Sequence, residues 1–317
     1  MNFEKIEAAF QLLLENVQNL QNTLSTNFYD ALIEQNILYL QDEPETRIVL
    51  ENNQKLAALE LTAKEWIKVY QFILMKAAQT EPLQANHQFT PDAIGLLMTY
   101  LIDVMGAEKK LDVLEIGSGT GLLAQTVLAY TTKQMDYFGL EVDDLLIDLS
   151  ASIADVIGSE VHFAQGDAVR PQVLKESDVI ISDLPVGYYP DQAIASRYEV
   201  ASANELSYAH HLLMEQSLKY LKADGVAIFL APSNLLTSPQ SDLLKAWIQN
   251  HAQLLSVIAL PDRLFGSADQ AKSLFVFGKS DAAPRELFVY PIADIQDQET
   301  LLAFKENFQK WWLDSEK

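Results

Sequence analysis

The sequence predicts an α/β protein in which a small all-helical domain precedes a doubly wound, mostly parallel sheet of seven strands. Three observations support this prediction. Apolar residues recur at helical spacing through the first eighty residues. From residue 112 onward, short apolar runs alternate with helical segments, and a turn with three glycines joins the first run to its helix. We place the boundary after Thr80-Glu81-Pro82, which gives a helical domain of residues 1–82 and a sheet domain of residues 83–317.

The helical domain is predicted from its apolar stripes. The first stripe places Phe3, Ile6 and Phe10 on one helix face and continues to Leu20. Thr62-x-x-Glu65 is a capping box, which marks the start of a later helix. Such stripes usually form a core, but these helices would also serve to form a homodimer, cover a binding site or bind a partner protein. The predicted helices are residues 3–20, 27–40, 45–59 and 62–79.

The elements of the sheet domain are predicted from apolar runs bounded by turn residues. We expect a late antiparallel strand at an edge of the sheet. Residues 287–292 are a candidate for one more strand, before a helix that ends with Trp311-Trp312. The predicted helices are residues 92–105, 122–130, 144–157 and 206–221. The predicted strands are residues 112–116, 137–142, 161–165, 178–182, 226–231, 254–260 and 273–278.

Composition and charge exclude several classes of protein. The 317 residues include no cysteine, which excludes disulfides and thiolate metal sites, and the five histidines show no ligand spacing. The first residues lack a basic and then apolar leader. No apolar run reaches the roughly 20 residues that cross a bilayer, so we expect a soluble cytoplasmic protein. The formal net charge is −22, and unaided DNA binding should be weak because it depends on Lys and Arg that neutralise phosphates.

The glycine turn indicates which kind of ligand the sheet binds. The run Leu111-Asp112-Val113-Leu114-Glu115-Ile116 leads into glycines at positions 117, 119 and 121. A dinucleotide-binding loop would have glycine at position 122, where this chain has leucine, and no Gly-Lys-Ser/Thr follows as in a P-loop. An acid two residues before the first glycine would repel a pyrophosphate but attract a cation. S-adenosylmethionine, which has a sulfonium and an amino group and no phosphate, fits this pattern.

Three more acids end the next predicted strands: Glu141, Asp167 and Asp183. Ligands of open parallel sheets bind beyond the carboxyl ends of the strands, so we expect these carboxylates and Glu115 at one site. Glu141 is placed to accept hydrogen bonds from both ribose hydroxyls of an adenosyl ligand. Alternatively, Glu141 is a solvated loop residue, and Asp167 forms an Asx turn with its own backbone, so that neither binds a ligand.

These residues resemble the class I S-adenosylmethionine-dependent methyltransferases, whose first motif is an acid followed by Gly-x-Gly-x-Gly. The resemblance implies a Rossmann-like methyltransferase fold with S-adenosylmethionine as cofactor. It implies that Asp167 accepts a hydrogen bond from the exocyclic amine of the cofactor adenine. The cofactor-binding residues that it implies in this part of the chain are Glu115, Gly117, Gly119, Gly121, Glu141, Asp167, Ala168 and Asp183.

The fourth strand ends in Asp183-Leu184-Pro185-Val186, which resembles the Asp/Asn-Pro-Pro-aromatic turn of enzymes that methylate amide-like amines. The resemblance implies that Asp183 and a backbone carbonyl at Leu184 or Pro185 accept the two amine hydrogens, while an aromatic ring stacks on the flipped base. Leu184 and Val186 depart from the pattern. Tyr188 or Tyr189, which follow Gly187, would then supply the stacking ring, although both are also suited to packing.

Flanking segments resemble the methylation subunits of type I restriction-modification systems. Gln88-Phe89-Thr90-Pro91 matches their segment ahead of the glycine motif, which implies that Gln88 and Thr90 hold the methionine end of the cofactor. Residues 221–232, 257–265 and 272–279 also resemble these subunits.

The leading hypothesis is therefore an S-adenosylmethionine-dependent N-methyltransferase with Asp183, Pro185 and Tyr188 as its catalytic residues. Adenine in DNA is the leading acceptor, with a partner protein supplying basic contacts. RNA and the amide of a protein glutamine pose the same problem of a poor nucleophile and stay open as acceptors. A cofactor-binding scaffold with weak or lost catalysis also stays open, because the fourth motif is altered.

Overall fold

The computed structural model describes residues 1–41, 46–81, 83, 89–267 and 270–314. Each helix within these ranges is too short or too polar to span a lipid bilayer. The helices are α1 (Phe3–Leu24), α2 (Phe28–Gln41), α3 (Arg47–Ala58), α4 (Ala63–Thr80), α5 (Asp92–Met105), α6 (Leu122–Tyr130), α7 (Asp144–Ile157), α8 (Gln192–Ala195), α9 (Ala209–Leu218), α10 (Ser241–His251) and α11 (Gln298–Asp314). The strands are β1 (Lys110–Ile116), β2 (Gln134–Glu141), β3 (Val161–Gln165), β4 (Ser177–Asp183), β5 (Leu221–Pro232), β6 (Ala252–Ala259), β7 (Lys272–Lys279) and β8 (Phe288–Pro291).

Helices α1 to α4 form where their apolar stripes predict them. The Asn2 side chain caps α1 by accepting hydrogen bonds from the backbone amides of Glu4 and Lys5. The predicted capping box opens α4: Thr62 Oγ1 accepts from Glu65 N at 3.4 Å, and Glu65 Oε2 accepts from Thr62 N at 3.0 Å. Glu65 Oε1 also accepts from Asn2 N at 2.7 Å. This buried carboxylate therefore joins the beginnings of α1 and α4.

The N-terminal helices share an apolar core with the sheet half of the molecule. Leu122 of α6 and Leu146 and Ile153 of α7 belong to the same buried cluster as the apolar faces of α1 to α4. A hydrogen bond of 3.0 Å from Asn36 Nδ2 to Ser152 Oγ joins α2 to α7 inside this cluster. Residue 82, at the expected domain boundary, lies outside the described residues, and the division there stays a prediction.

The eight strands of the described residues form one sheet in the order β3-β2-β1-β4-β5-β7-β6-β8. β7 is antiparallel to β5 and β6, and the other neighbours are parallel. The expected edge position of the antiparallel strand is wrong, because β7 lies between β5 and β6. Its run Leu274-Phe275-Val276-Phe277 is buried on both faces, as in strands inside a sheet. The candidate strand at residues 287–292 is β8, which extends the edge beside β6 and makes the sheet eight-stranded rather than seven-stranded.

Helices cover both faces of the sheet, so each strand contributes side chains to two apolar cores, one on each face. On β1, Val113 packs under α5 and α6, whereas Leu114 packs with α9 and α10 on the other face. Sequence periodicity did not predict α10, which buries only Leu244 and Trp247 among its apolar residues. This doubly wound arrangement directs the carboxyl ends of β1 to β4 to one edge, where the site lies.

Candidate active site

The carboxyl ends of β1 to β4 surround a cleft of about 430 Å³. The strand order reverses between β1 and β4, which is where open α/β sheets bind ligands. The four acids expected at the strand ends all line this cleft: Glu115, Glu141, Asp167 and Asp183. The structure brings them together, and each has its own set of hydrogen-bond partners.

The three glycines of the turn all have positive φ: 68° at Gly117, 53° at Gly119 and 75° at Gly121. L side chains rarely adopt this region. A Cβ at Gly117 or Gly119 would meet no atom within 4 Å, and both residues line the cleft. A Cβ at Gly121 would lie only 2.8 Å from Ser150 Cβ. Gly121 therefore permits close packing of α6 on α7, and its expected contact with the cofactor stays a prediction.

Glu141, at the end of β2, holds the glycine turn in place. Its Oε2 accepts from Gly119 N at 2.8 Å, and its Oε1 accepts from Val142 N at 2.8 Å and from Asp143 N at 3.1 Å. These three contacts fix the carboxylate in the wall of the cleft. A carboxylate has about four lone-pair directions, so Glu141 can still accept a hydrogen bond from a ligand hydroxyl.

Glu115 is the most deeply buried of the four acids. It is 2% exposed, and Tyr137 Oη donates to its Oε2 at 2.8 Å. Burial raises the pKa of Glu115 to about 8, although the Tyr137 hydrogen bond opposes this and the nearby charges of Glu141 and Asp183 add to it. At neutral pH this carboxyl group is therefore mostly protonated until a cation lies beside it.

Asp167 joins the loop after β3 to the loop after β4. Its Oδ2 accepts from Tyr189 Oη at 2.6 Å and from Arg170 Nε at 3.3 Å, and its Oδ1 accepts from Val169 N at 3.0 Å. Arg170 also donates to Asp191 Oδ2 at 2.9 Å. Burial, with the hydrogen bond to Asp167, raises the pKa of Tyr189 to about 12. Because β2 and β1 lie between β3 and β4, the Tyr189–Asp167 and Arg170–Asp191 bonds cross the cleft.

Asp183 is held between two side chains at the end of β4. Thr90 Oγ1 donates to its Oδ2 at 2.8 Å, and Lys272 Nζ donates to its Oδ1 at 2.5 Å. Lys272 is not among the predicted site residues, because its position depends on where β7 lies in the sheet. β7 instead pairs with β5, which brings Lys272 beside the end of β4.

The two tyrosines after the fourth motif have different environments. Tyr189 is buried, and its hydroxyl is bonded to Asp167, so its ring packs. Both tyrosines line the cleft, but Tyr188 is 54% exposed. One face of its ring stacks on Tyr208 with a centroid distance of 5.0 Å, and Tyr208 stacks in turn on the buried His210. Tyr188 is thus the tyrosine that is placed to stack on a ligand.

The remaining predicted residues divide into two groups. Thr90, Ala168 and Pro185 line the cleft. Gln88 lies outside the described residues. Within the described ranges there is no group of three or more His, Cys, Asp or Glu side chains arranged to bind a metal ion.

Comparison with known proteins identifies the family. A model of the family described as N-6 DNA Methylase matches residues 65–309. The chain belongs to the N-6 DNA methylase family. It is 30% identical to YtxK of Bacillus subtilis, an uncharacterised protein, over 98% of this chain and 99% of YtxK.

Two solved structures share the fold. One from Listeria monocytogenes, described provisionally as a class I S-adenosylmethionine-dependent methyltransferase, is 28% identical with a TM-score of 0.86, over 98% of this chain and 100% of that one. The methyltransferase subunit of a type I restriction-modification system from Streptococcus thermophilus is 14% identical with a TM-score of 0.64, over 97% of this chain and 74% of that one.

Family membership confirms the predicted class, a methyltransferase of Rossmann-like fold that uses S-adenosylmethionine. The resemblance to type I methylation subunits is also confirmed at the level of the fold. The family match begins within α4, so it extends into the expected helical domain. The roles given to individual residues stay predictions.

Proposed function

We propose that this protein transfers the methyl group of S-adenosylmethionine to an exocyclic or amide-like amine, and that the amine is that of adenine in DNA. The observation that supports this most is the shared cleft, in which Asp183 ends the strand next to the glycine turn. Methyl transfer is an in-line displacement, so its rate depends on holding donor and acceptor in line. Sites at the ends of adjacent strands, β1 and β4, meet that requirement.

For the donor, the open space at Gly117 and Gly119 and the carboxylates around it fit a cationic ligand without phosphate. S-adenosylmethionine supplies a methyl group on a positively charged sulfur. We propose that Glu141 accepts hydrogen bonds from its ribose hydroxyls and that Glu115 favours its positive charge. Thr90 and Ala168 would contact other parts of the same ligand, since both line the cleft.

For the acceptor, Asp183 and the backbone carbonyl of Leu184 or Pro185 would accept the amine hydrogens. An amide-like amine is a poor nucleophile because its lone pair is delocalised, and accepting its hydrogens increases the electron density on nitrogen. Tyr188 would stack on the base with its free face, supported from behind by Tyr208. In this arrangement Tyr188 takes the place of the aromatic residue that Val186 replaces.

The acidic surface bears on how DNA would be bound. With a net charge of −22, the chain supplies few of the basic contacts on which DNA affinity depends. We therefore propose that a partner protein, bound through the N-terminal helices, supplies them. A homodimer and a cytoplasmic location also stay predictions.

Transfer of radiolabelled methyl groups from S-adenosylmethionine to DNA, RNA and cell-extract protein tests this function. Label on adenine should be lost in Asp183→Ala and retained in Asp155→Ala, a control that removes an exposed acid of α7. Calorimetry should show that the wild-type protein binds S-adenosylmethionine. DNA is supplied at low salt and saturating concentration, because the partner protein is absent from the assay. Under these conditions, label confined to protein glutamine, or binding of S-adenosylmethionine without transfer to any acceptor, would contradict the proposed acceptor.

A further inference from the structure

Lys272 occupies a fixed place beside the proposed acceptor site. It is the first residue of β7 and lies opposite Pro232 of β5, while Asp183 lies opposite Leu230 of the same strand. The strand ladder thus sets the backbone positions of both charged residues. The two side chains are 11% and 14% exposed, and in the described part of the chain Asp183 is the ion-pair partner of Lys272.

The ion pair changes the charge of the acceptor site. Asp183 shares the cleft with Glu115 and Glu141, and the negative charges of Glu141 and Asp183 act on Glu115. A carboxylate that is largely withdrawn from water beside other acids requires a compensating cation. Removing one partner of such a pair leaves an uncompensated charge, which is strongly unfavourable.

We infer that Lys272 is a positioning residue for the acceptor, acting through Asp183, and that the ion pair restricts the acceptor to neutral amines. Lys272 on Oδ1 and Thr90 on Oδ2 prevent the carboxylate from rotating, so its free lone pairs keep one direction. This inference rests on the proposed role of Asp183 in holding the acceptor amine.

The restriction to neutral amines follows from the charges. A neutral amide-like amine needs only a hydrogen-bond acceptor at Asp183. An ammonium group, such as that of a lysine side chain, would meet a carboxylate that is already neutralised and a like charge next to it. The site is therefore suited to nucleobase amines and carboxamides.

Four variants test the inference: Lys272→Met, Asp183→Asn, the double variant with both changes, and Lys272→Arg. Lys279→Met is the matched control, because Lys279 lies at the other end of β7 and pairs with Glu176 at 3.8 Å. The probes are an adenine-containing oligodeoxynucleotide as acceptor and a polylysine peptide as a cationic amine. kcat and KM are measured well below the lowest melting temperature of the set, and calorimetry gives the affinity for S-adenosylmethionine.

We expect Lys272→Met to lower kcat on the oligodeoxynucleotide about 100-fold, the loss that a small misplacement of a reacting group produces. Its affinity for S-adenosylmethionine should stay within about threefold of wild type, as should all parameters of Lys279→Met. The double variant should regain at least about tenfold over either single variant, since an amide beside methionine leaves no charge uncompensated. Lys272→Arg should keep most of the activity, and wild type should not label polylysine.

A structural ion pair without a role in transfer would lower the melting temperature of Lys272→Met and leave kcat unchanged, and that result would overturn the inference. A double variant no better than the single variants, or label on polylysine, would overturn it as well. These outcomes differ from failure of the proposed function, in which wild type binds S-adenosylmethionine but does not label the oligodeoxynucleotide. The oligodeoxynucleotide is therefore used at low salt and at saturating concentration, so that binding does not depend on the partner protein. Absence of label under these conditions would remove the basis of the inference and refute both.

Discussion

Replacing Glu115 with glutamine should remove a pH-dependent loss of stability and weaken donor binding. Burial raises the pKa of Glu115 from 4.5 to about 8, in spite of the hydrogen bond from Tyr137. The folded protein therefore holds this proton more tightly than the unfolded chain does. The stability that the proton contributes is fully present below pH 4.5 and is lost as the pH rises through about 8.

The size of this stability change follows from the pKa of Glu115 in the folded protein and in the unfolded chain. They differ by about 3.5 (8 minus 4.5), which at about 1.36 kcal/mol per unit gives at most about 5 kcal/mol. About 3 kcal/mol of this develops between pH 5 and pH 8. Glu115→Gln has no proton to lose at this position. The free energy of unfolding of the variant, relative to wild type, should therefore rise by about 3 kcal/mol over that range.

Urea denaturation of the donor-free proteins at several pH values between 5 and 8 measures this difference. Glu65→Gln is the control, because hydrogen bonds from the backbone amides of Thr62 and Asn2 lower the pKa of Glu65 to about 2. The stability that Glu65 contributes is lost only on acidification below its unfolded pKa, so its difference from wild type should stay constant from pH 5 to pH 8. A constant difference for Glu115→Gln would refute the reasoning.

Proton release on donor binding gives a second measure of the protonation state of Glu115. At pH 7 a carboxyl group with a pKa of about 8 is about nine-tenths protonated. A cationic donor favours the ionised form, so binding of S-adenosylmethionine should release close to one proton from Glu115 in wild type. Calorimetry in buffers of different ionisation enthalpy counts the protons released. Equal release by wild type and Glu115→Gln would show that Glu115 stays protonated in the complex.

Three further predictions concern the cleft. Gly119→Ala should weaken binding of S-adenosylmethionine by about 1.4 kcal/mol or more, tenfold in affinity, because its Cβ would enter the cleft from a backbone with φ of 53°. Gly158→Ala is the control, because Gly158 has a φ of 73° and open surroundings at the exposed end of α7. It should lose only about 1–2 kcal/mol of stability to backbone strain. Calorimetry that found the same affinity for S-adenosylmethionine in both variants would contradict this prediction. Tyr188→Ala should raise the activation free energy of methyl transfer to DNA by about 1–3 kcal/mol, because stacking on the base is lost, and should leave the affinity for S-adenosylmethionine unchanged. Tyr188→Phe should behave as wild type when transfer of the radiolabelled methyl group is measured. Tyr189→Phe should lower the free energy of unfolding by about 1 kcal/mol, because the hydrogen bond to Asp167 across the cleft is lost; unchanged urea denaturation would exclude that contribution.

The positions of the residues in the proposed donor half of the site could be predicted from the sequence because their signals are local. Glu115 and the glycines adjoin one strand, and Glu141 ends the next, so their positions depend only on where each strand stops. The parallel sheet then brings strand ends together without further information.

Lys272 could not be predicted, because its place depends on strand order. The apolar run of β7 shows that the strand is buried but not that it lies between β5 and β6. Tyr188 and Tyr189 present a similar difficulty. Both are aromatic neighbours in one loop. The tertiary hydrogen bond to Asp167 shows that the Tyr189 ring packs, whereas the Tyr188 ring is half exposed and stacks on Tyr208 with one face.

The core that α1 to α4 share with α7 has a consequence for cooperativity. Without those helices, Leu146, Leu149 and Ile153 of α7 would face water, and α7 begins three residues after Glu141. The helices thus support the strand-helix unit that carries the proposed donor site. We expect the N-terminal helices and α7 to unfold together, because they share this core. We also expect a partner that binds the helices to raise or lower the local stability of the proposed donor site from a distance.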